Sequence, residues 1–129
     1  MRDLIIRAGL VGLLLAPTAC VHRSPDDFEP DARYDPVPVH VRNDNFLDMN
    51  VFVVAGGMSR RLGQVTGNSE ADFSIQWSVA NGQSFYLTAV PIGGFGTAYS
   101  GTLNVGPGQM VDFRIASVLR QSAAIVREP

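Results

Sequence analysis

Lysine is missing altogether from this 129-residue chain, cysteine occurs once, at Cys20, tryptophan once, at Trp77, and histidine twice, at His22 and His40. Each scarcity removes a class of chemistry. The ten basic residues are all arginine, they are scattered among twelve acidic ones, and the net charge is −2. The chain therefore lacks the electrostatic footprint of a nucleic-acid binder or of a protein held on anionic headgroups. A single cysteine excludes an internal disulfide. Zinc commonly takes three or four His, Cys or carboxylate ligands, and two distant histidines are poor material for it, so no cofactor or metal is expected. A long apolar run is also absent. The uncharged stretch from Ala8 to His22 is fifteen residues broken by Pro17, short of the roughly 20 apolar residues of a transmembrane helix.

What that N-terminal stretch does have is the layout of an export signal. Arg2 and Arg7 flank Asp3, an apolar core runs from Ala8 to Ala16, and small residues follow. "GLLLAPTAC", residues 12–20, resembles a bacterial lipoprotein signal, in which a small residue precedes a cysteine that is acylated and becomes the mature N-terminus. Thr18, Ala19 and Cys20 match it; Pro17 stands where that pattern prefers an aliphatic residue. An ordinary signal-peptidase site wants a small residue at the same place, so Pro17 does not choose between the two cuts. An exported protein with one cysteine must leave it free, pair it with another chain or modify it, and modification explains its position. Residues 1–19 are expected to be a lipoprotein-type signal peptide and Cys20 a lipidation site. The alternatives are a cleaved protein without lipid or an uncleaved anchor. The expected location is the cell envelope, anchored in the outer membrane and facing the periplasm.

Residues 21–38, "VHRSPDDFEPDARYDPVP", hold four prolines, five acidic residues and two arginines. Few apolar groups are available there to offset the entropy of ordering. Residues 20–36 are read as a flexible tether able to reach roughly 50 Å at the polyproline rise per residue, and residues 37–129 as one domain.

From Val37 the hydrophobic period is two. Val37, Val39 and Val41 alternate with Pro38, His40 and Arg42; Phe85, Leu87 and Ala89 continue the pattern, as do Val111, Phe113 and Ile115. Gly56-Gly57, Asn81-Gly82, Gly93 to Gly96 and Gly106-Pro107-Gly108 punctuate the runs. The spacing predicts strands over 37–43, 49–55, 58–63, 71–77, 84–92, 97–105, 109–116 and 121–127. Short strands with close turns imply antiparallel pairing in an all-β sandwich, Ig-like or transthyretin-like, of about seven or eight strands. Trp77 is expected to close one end of it.

The stretches "VHVRNDNFLDMNVFVV", "RRLGQVTG", "ADFSI" and "LNVGPGQMVDFRI" resemble small bacterial envelope lipoproteins of unknown function, whose domains are similar to transthyretin-like or carboxypeptidase-regulatory sandwiches. The resemblance spans residues 37–127. It implies a binding or structural module outside the cytoplasm, and it carries over no catalytic residue.

Catalysis finds little support. His22 lies in the tether and Cys20 is expected to be acylated. His40 alternates with Val39 and Val41, and so points away from the face they bury. Asp44 and Asp48 in "NDNFLD" are weak candidates for a cation, because the regular spacing of a calcium loop is missing and Asn and Asp are common turn formers. Arg60 and Arg61 face opposite ways on a strand unless a bulge intervenes; a cross-strand pair of one of them with Glu70 or Asp72 is expected. "PIGGFG" lacks the lysine and helix of a phosphate loop. Phe95, between Gly94 and Gly96, is either a plug folded onto the sandwich end, the expectation here, or an exposed contact. Phe95, Tyr99 and Arg60 are the candidate partner contacts, and no catalytic residue is assigned.

The sequence thus supports, in order, a lipid-anchored module binding an envelope protein or glycan, a passive spacer lipoprotein, and a hydrolase using carboxylates such as Asp44, Asp48, Asp72 and Asp112. The anchor is tested directly. Cells fed a clickable palmitate analogue should label the wild-type protein and not Cys20→Ala; equal labelling of the two, or of neither, rules it out.

Overall fold

Period-two alternation becomes eight strands in the computed structural model, which describes residues 35–129. The expected signal peptide, Cys20 and the tether up to residue 34 lie outside the described residues. In chain order the elements are β1 (Val37–Asn43), β2 (Met49–Ala55), β3 (Met58–Val65), β4 (Ser69–Ile75), a one-turn helix α1 (Trp77–Ala80), β5 (Phe85–Pro91), β6 (Ala98–Leu103), β7 (Met110–Ile115) and β8 (Ala123–Arg127). The first two end where the alternation predicts. The run expected over 71–77 instead starts at Ser69 and stops at Ile75, because Trp77 leaves the sheet to open α1. There Trp77 and Val79 pack against the core and Ala80 is fully buried, so the ring covers one end of the sandwich.

The strands form two four-stranded sheets, β4-β1-β7-β8 and β3-β2-β5-β6. Their facing sides bury Val37, Val39 and Val41 of β1, Met49, Val51 and Val53 of β2, Phe85, Leu87 and Ala89 of β5, and Val111, Phe113 and Ile115 of β7. Removing one of the Val, Leu, Ile, Phe or Met side chains from water contributes about 1.5–3 kcal/mol, and the branched valines suit the pleated geometry of the central strands. All-β sandwich architecture is therefore what this chain adopts, with one correction. Pairing is not antiparallel throughout, since β1 lies antiparallel to β4 but parallel to β7, with Val39 opposite Val111 and Val41 opposite Phe113. The chain reaches β7 from the other sheet at the end where β1 begins, so the two strands run the same way.

This connectivity sorts the turns onto two ends. The proximal end holds the point where the chain enters β1, the Gly56-Gly57 hairpin, α1 and the segment after β6. Both hairpin glycines have positive φ, 56° and 75°, as the tight turn that matches strand twist requires. The distal end holds the β1–β2, β3–β4, β5–β6 and β7–β8 loops.

The two sheets meet at their edges through Gly63. A side chain on Gly63 would run into the Phe73 ring of β4, so the close approach of β3 to β4 depends on its absence. Gly63→Ala should lower the unfolding free energy by about 1–3 kcal/mol, the usual cost of overpacking, and Phe73→Leu in the same chain should recover part of the loss. Additive losses in denaturant melts refute this account.

Candidate functional site

The distal end is organised by the segment "NDNFLD". Asn43, the last residue of β1, is only 1% exposed. Its amide donates to the carbonyls of Leu47 at 2.8 Å and Thr66 at 3.2 Å, while its Oδ1 accepts from the Asn45 N–H at 3.0 Å. Asn45 repeats the device: Oδ1 accepts from the Leu47 N–H at 2.9 Å and Nδ2 donates to the Ser117 carbonyl at 3.0 Å. These are the side-chain-to-backbone turns for which Asn is favoured. Backbone bonds extend the network, from the Asn68 N–H to the Asn45 carbonyl and from the Ile92 N–H to the Asp48 carbonyl, each 2.8 Å. Asp48 Oδ1 accepts from the Gly67 N–H at 2.9 Å. One loop thus fixes the other three.

Out of this pinned base stand apolar side chains. Phe46 is 78% exposed at the tip of the β1–β2 loop, Phe95 is 98% exposed in the β5–β6 loop, and Ile92 of the β5–β6 loop and Val118 of the β7–β8 loop are also exposed. Phe95 is therefore not the expected plug. The ends of the two sheets are already covered by Leu47 and Leu119, which pack against the core, and Leu47 and Leu119 also crowd Gly94 and Gly96 on either side of Phe95. The ring has nowhere to fold back.

The carboxylates weighed as ligands or catalysts are held individually. Arg42 and Arg114 sit directly opposite each other on β1 and β7, a like-charge pair that Asp44 resolves by accepting from Arg42 Nε at 2.8 Å and Arg114 Nε at 2.6 Å. The hydrogen bond from Arg114, then that from Arg42, pulls the Asp44 carboxyl below its ordinary range. A cation at Asp44 would meet both guanidiniums. Asp72 Oδ1 lies 2.7 Å from His40 Nδ1, with Glu70 3.6 Å from Nε2, and Asp112 pairs with Arg127. No cluster of three or more His, Cys, Asp or Glu suited to a metal occurs among the described residues.

Arg60 and Arg61 do not pair with Glu70 or Asp72. A bulge does interrupt β3, but it falls after Arg61, between the pairs Val51–Gly63 and Phe52–Arg61. Arg60 instead reaches the amide oxygen of Gln76 at 3.0 Å, and Arg61 that of Asn50 at 2.8 Å. The expected partners are out of reach because β3 and β4 belong to different sheets. Arg60 also lies toward the proximal end, away from Phe95, whereas Tyr99 stands on the outer face of β6, 56% exposed and tilted against Tyr86. Sequence reasoning overlooked Phe46 and Tyr86. The second was signalled by its place one step out of phase with Phe85 and Leu87.

No protein-family model and no curated protein matches this chain. Among solved structures, a protein from Eubacterium rectale determined by NMR is similar at 13% identity and a TM-score of 0.46, over 73% of this chain and 90% of that one. A likeness at that level says nothing of function.

Asp44 gives this end a defined response to acid. Because its folded-state pKa lies below the unfolded value, the stabilisation it contributes is present above the unfolded pKa and is lost as pH falls through the folded one. At low ionic strength, wild type should be more stable than Asp44→Asn at neutral pH, and the gap should close as pH drops below the usual carboxylate range. A gap that is constant with pH contradicts the Arg42–Asp44–Arg114 account.

Proposed function

We propose that this chain is an exported, lipid-anchored protein of the bacterial envelope and a non-catalytic module that docks an envelope protein through its distal loops. One observation carries the reading: Phe46, Ile92, Phe95 and Val118 are exposed on loops whose backbones are tied together by Asn43, Asn45 and Asp48. Exposed aromatic anchors on a preorganised backbone lose little entropy on binding, and such residues dominate interface energetics. The chain enters the sandwich at Val37, at the opposite end. A tether running from an acylated Cys20 therefore holds the loops away from the membrane that carries it. A spacer without a specific ligand leaves the hydrophobic tips unexplained, and the hydrolase reading gains nothing from carboxylates each engaged by a separate partner.

The test is capture from crosslinked membranes with wild-type, Phe46→Ala and Phe95→Ala proteins. Since both rings are largely exposed, each variant should keep its unfolding free energy within about 0.5 kcal/mol. Capture of the partner recovered by wild type should fall about tenfold, the loss typical of an anchor side chain. Undiminished capture by both variants, or no partner for wild type, favours the spacer.

A further inference from the structure

The outward face of β5 and β6 carries a second, differently built feature. Tyr86 lies opposite Thr102, and Thr88 opposite Tyr99, yet between these pairs the ladder slips. Leu87 stands alone on β5 against Ser100 and Gly101 on β6, and its N–H is satisfied by the Ser100 hydroxyl at 2.8 Å. Tyr99 and Thr102 are three residues apart and would face opposite sides of a regular strand. The bulge puts both outward and turns Leu103 into the core. Gly101 takes φ +80° at the bulge and leaves the space beside the rings open, in keeping with the way bulges re-aim side chains near functional sites.

The result is a shallow pocket of about 210 Å³ lined by Tyr86, Tyr99, Gly101 and Thr102. The two rings have centroids 6.4 Å apart and planes inclined at 46°. No charged side chain lines it, in contrast to the opposite sheet, whose outer face carries His40, Arg42, Glu70, Asp72, Asp112 and Arg114.

We infer that this pocket binds one ring of a neutral saccharide. A sugar ring has an apolar face of C–H groups, slightly positive, that suits the negative face of a tyrosine ring. Its rim of hydroxyls matches the Tyr86, Tyr99 and Thr102 hydroxyls, each able to donate and to accept. A neutral lining selects a neutral occupant, because a charged one would be stripped of water with no counter-charge to receive it. The volume lies below the roughly 300–1,000 Å³ of drug-sized pockets, and a protein interface needs about 800 Å² on each partner. One ring fits, with the rest of the glycan chain in solvent.

The inference stands apart from the loop surface, and one calorimetric series separates the two. The full chain is titrated with maltohexaose and chitohexaose, both neutral, and with an acidic hexauronate. At least one neutral oligomer should bind with a Kd of about a millimolar or tighter, and the hexauronate more weakly. Tyr86→Ala and Tyr99→Ala should each weaken binding about tenfold at an unchanged melting temperature, and Phe95→Ala should not. Thr102→Arg, at an exposed position, fills the pocket without removing a ring and should also abolish binding. The inference is overturned if neither neutral oligomer binds, if binding survives Thr102→Arg and both tyrosine variants, if the hexauronate binds as well, or if Phe95→Ala abolishes binding.

Discussion

The buried amide of Asn43 is the interaction on which the distal end depends. An amide taken out of water without partners costs a few kcal/mol, and at the end of β1 its three hydrogen bonds go to Leu47, Thr66 and Asn45. Two of those partners lie in its own loop and one in the loop between β3 and β4. Displacing either loop orphans a buried polar group, so loop position is coupled to the central strand of the core. Asn45 passes the same constraint to Ser117 beyond β7. Exposed Phe46 and Phe95 are consequently presented from a fixed base, which is what turns surface hydrophobes into an organised surface.

The two outer faces then divide the remaining work. On the β4-β1-β7-β8 sheet, polar and charged side chains alternate with core residues and meet one another across strands, as with His40 and Asp72 or Arg127 and Asp112. Exposed pairs of this kind contribute about 0–1 kcal/mol each; their main effect is to keep that face wet and unattractive to other apolar surfaces. On the β3-β2-β5-β6 sheet the outward positions include Phe52, Val54, Tyr86, Thr88, Val90 and Tyr99, with Arg61 folded onto Asn50. Around Tyr86 and Tyr99 apolar and hydroxyl groups are mixed with no charged side chain in the lining, which suits the proposed ligand, since it has both.

What the sequence made legible follows from how far each signal reaches. Alternation is local, and it placed β1 and β2 to the residue. Turn chemistry is local too, and Gly56-Gly57 and "NDNFLD" are turns. The parallel partnership of β1 and β7 joins residues about seventy positions apart, and no local pattern specifies it. Pairing one of Arg60 and Arg61 with Glu70 or Asp72 presumes that strands adjacent in sequence pair, whereas the chain changes sheet between β3 and β4. Expecting Phe95 to plug the sandwich end rests on the tendency of aromatics to bury, which cannot register that Leu47 and Leu119 already cover that end. The site residues lie where the chain departs from the regular pattern, and regular patterns are what a sequence displays.

The departures themselves have a common logic. Both register slips fall in the β3-β2-β5-β6 sheet, one on each of its edge strands, at Leu62 of β3 and at Ser100-Gly101 of β6. A bulge bends and twists its strand, and here β3 closes toward β4 while β6 closes toward β8 of the other sheet. Edges turned in this way offer no straight row of free N–H and C=O groups, so the usual route of edge-to-edge association is discouraged. Recognition by strand addition is discouraged for the same reason. For the binding module proposed above, that leaves side chains rather than backbone to do the recognising, on the two surfaces where they are exposed without a charge partner: the distal loop tips, and the face that the β6 bulge creates by holding Tyr99 beside Tyr86.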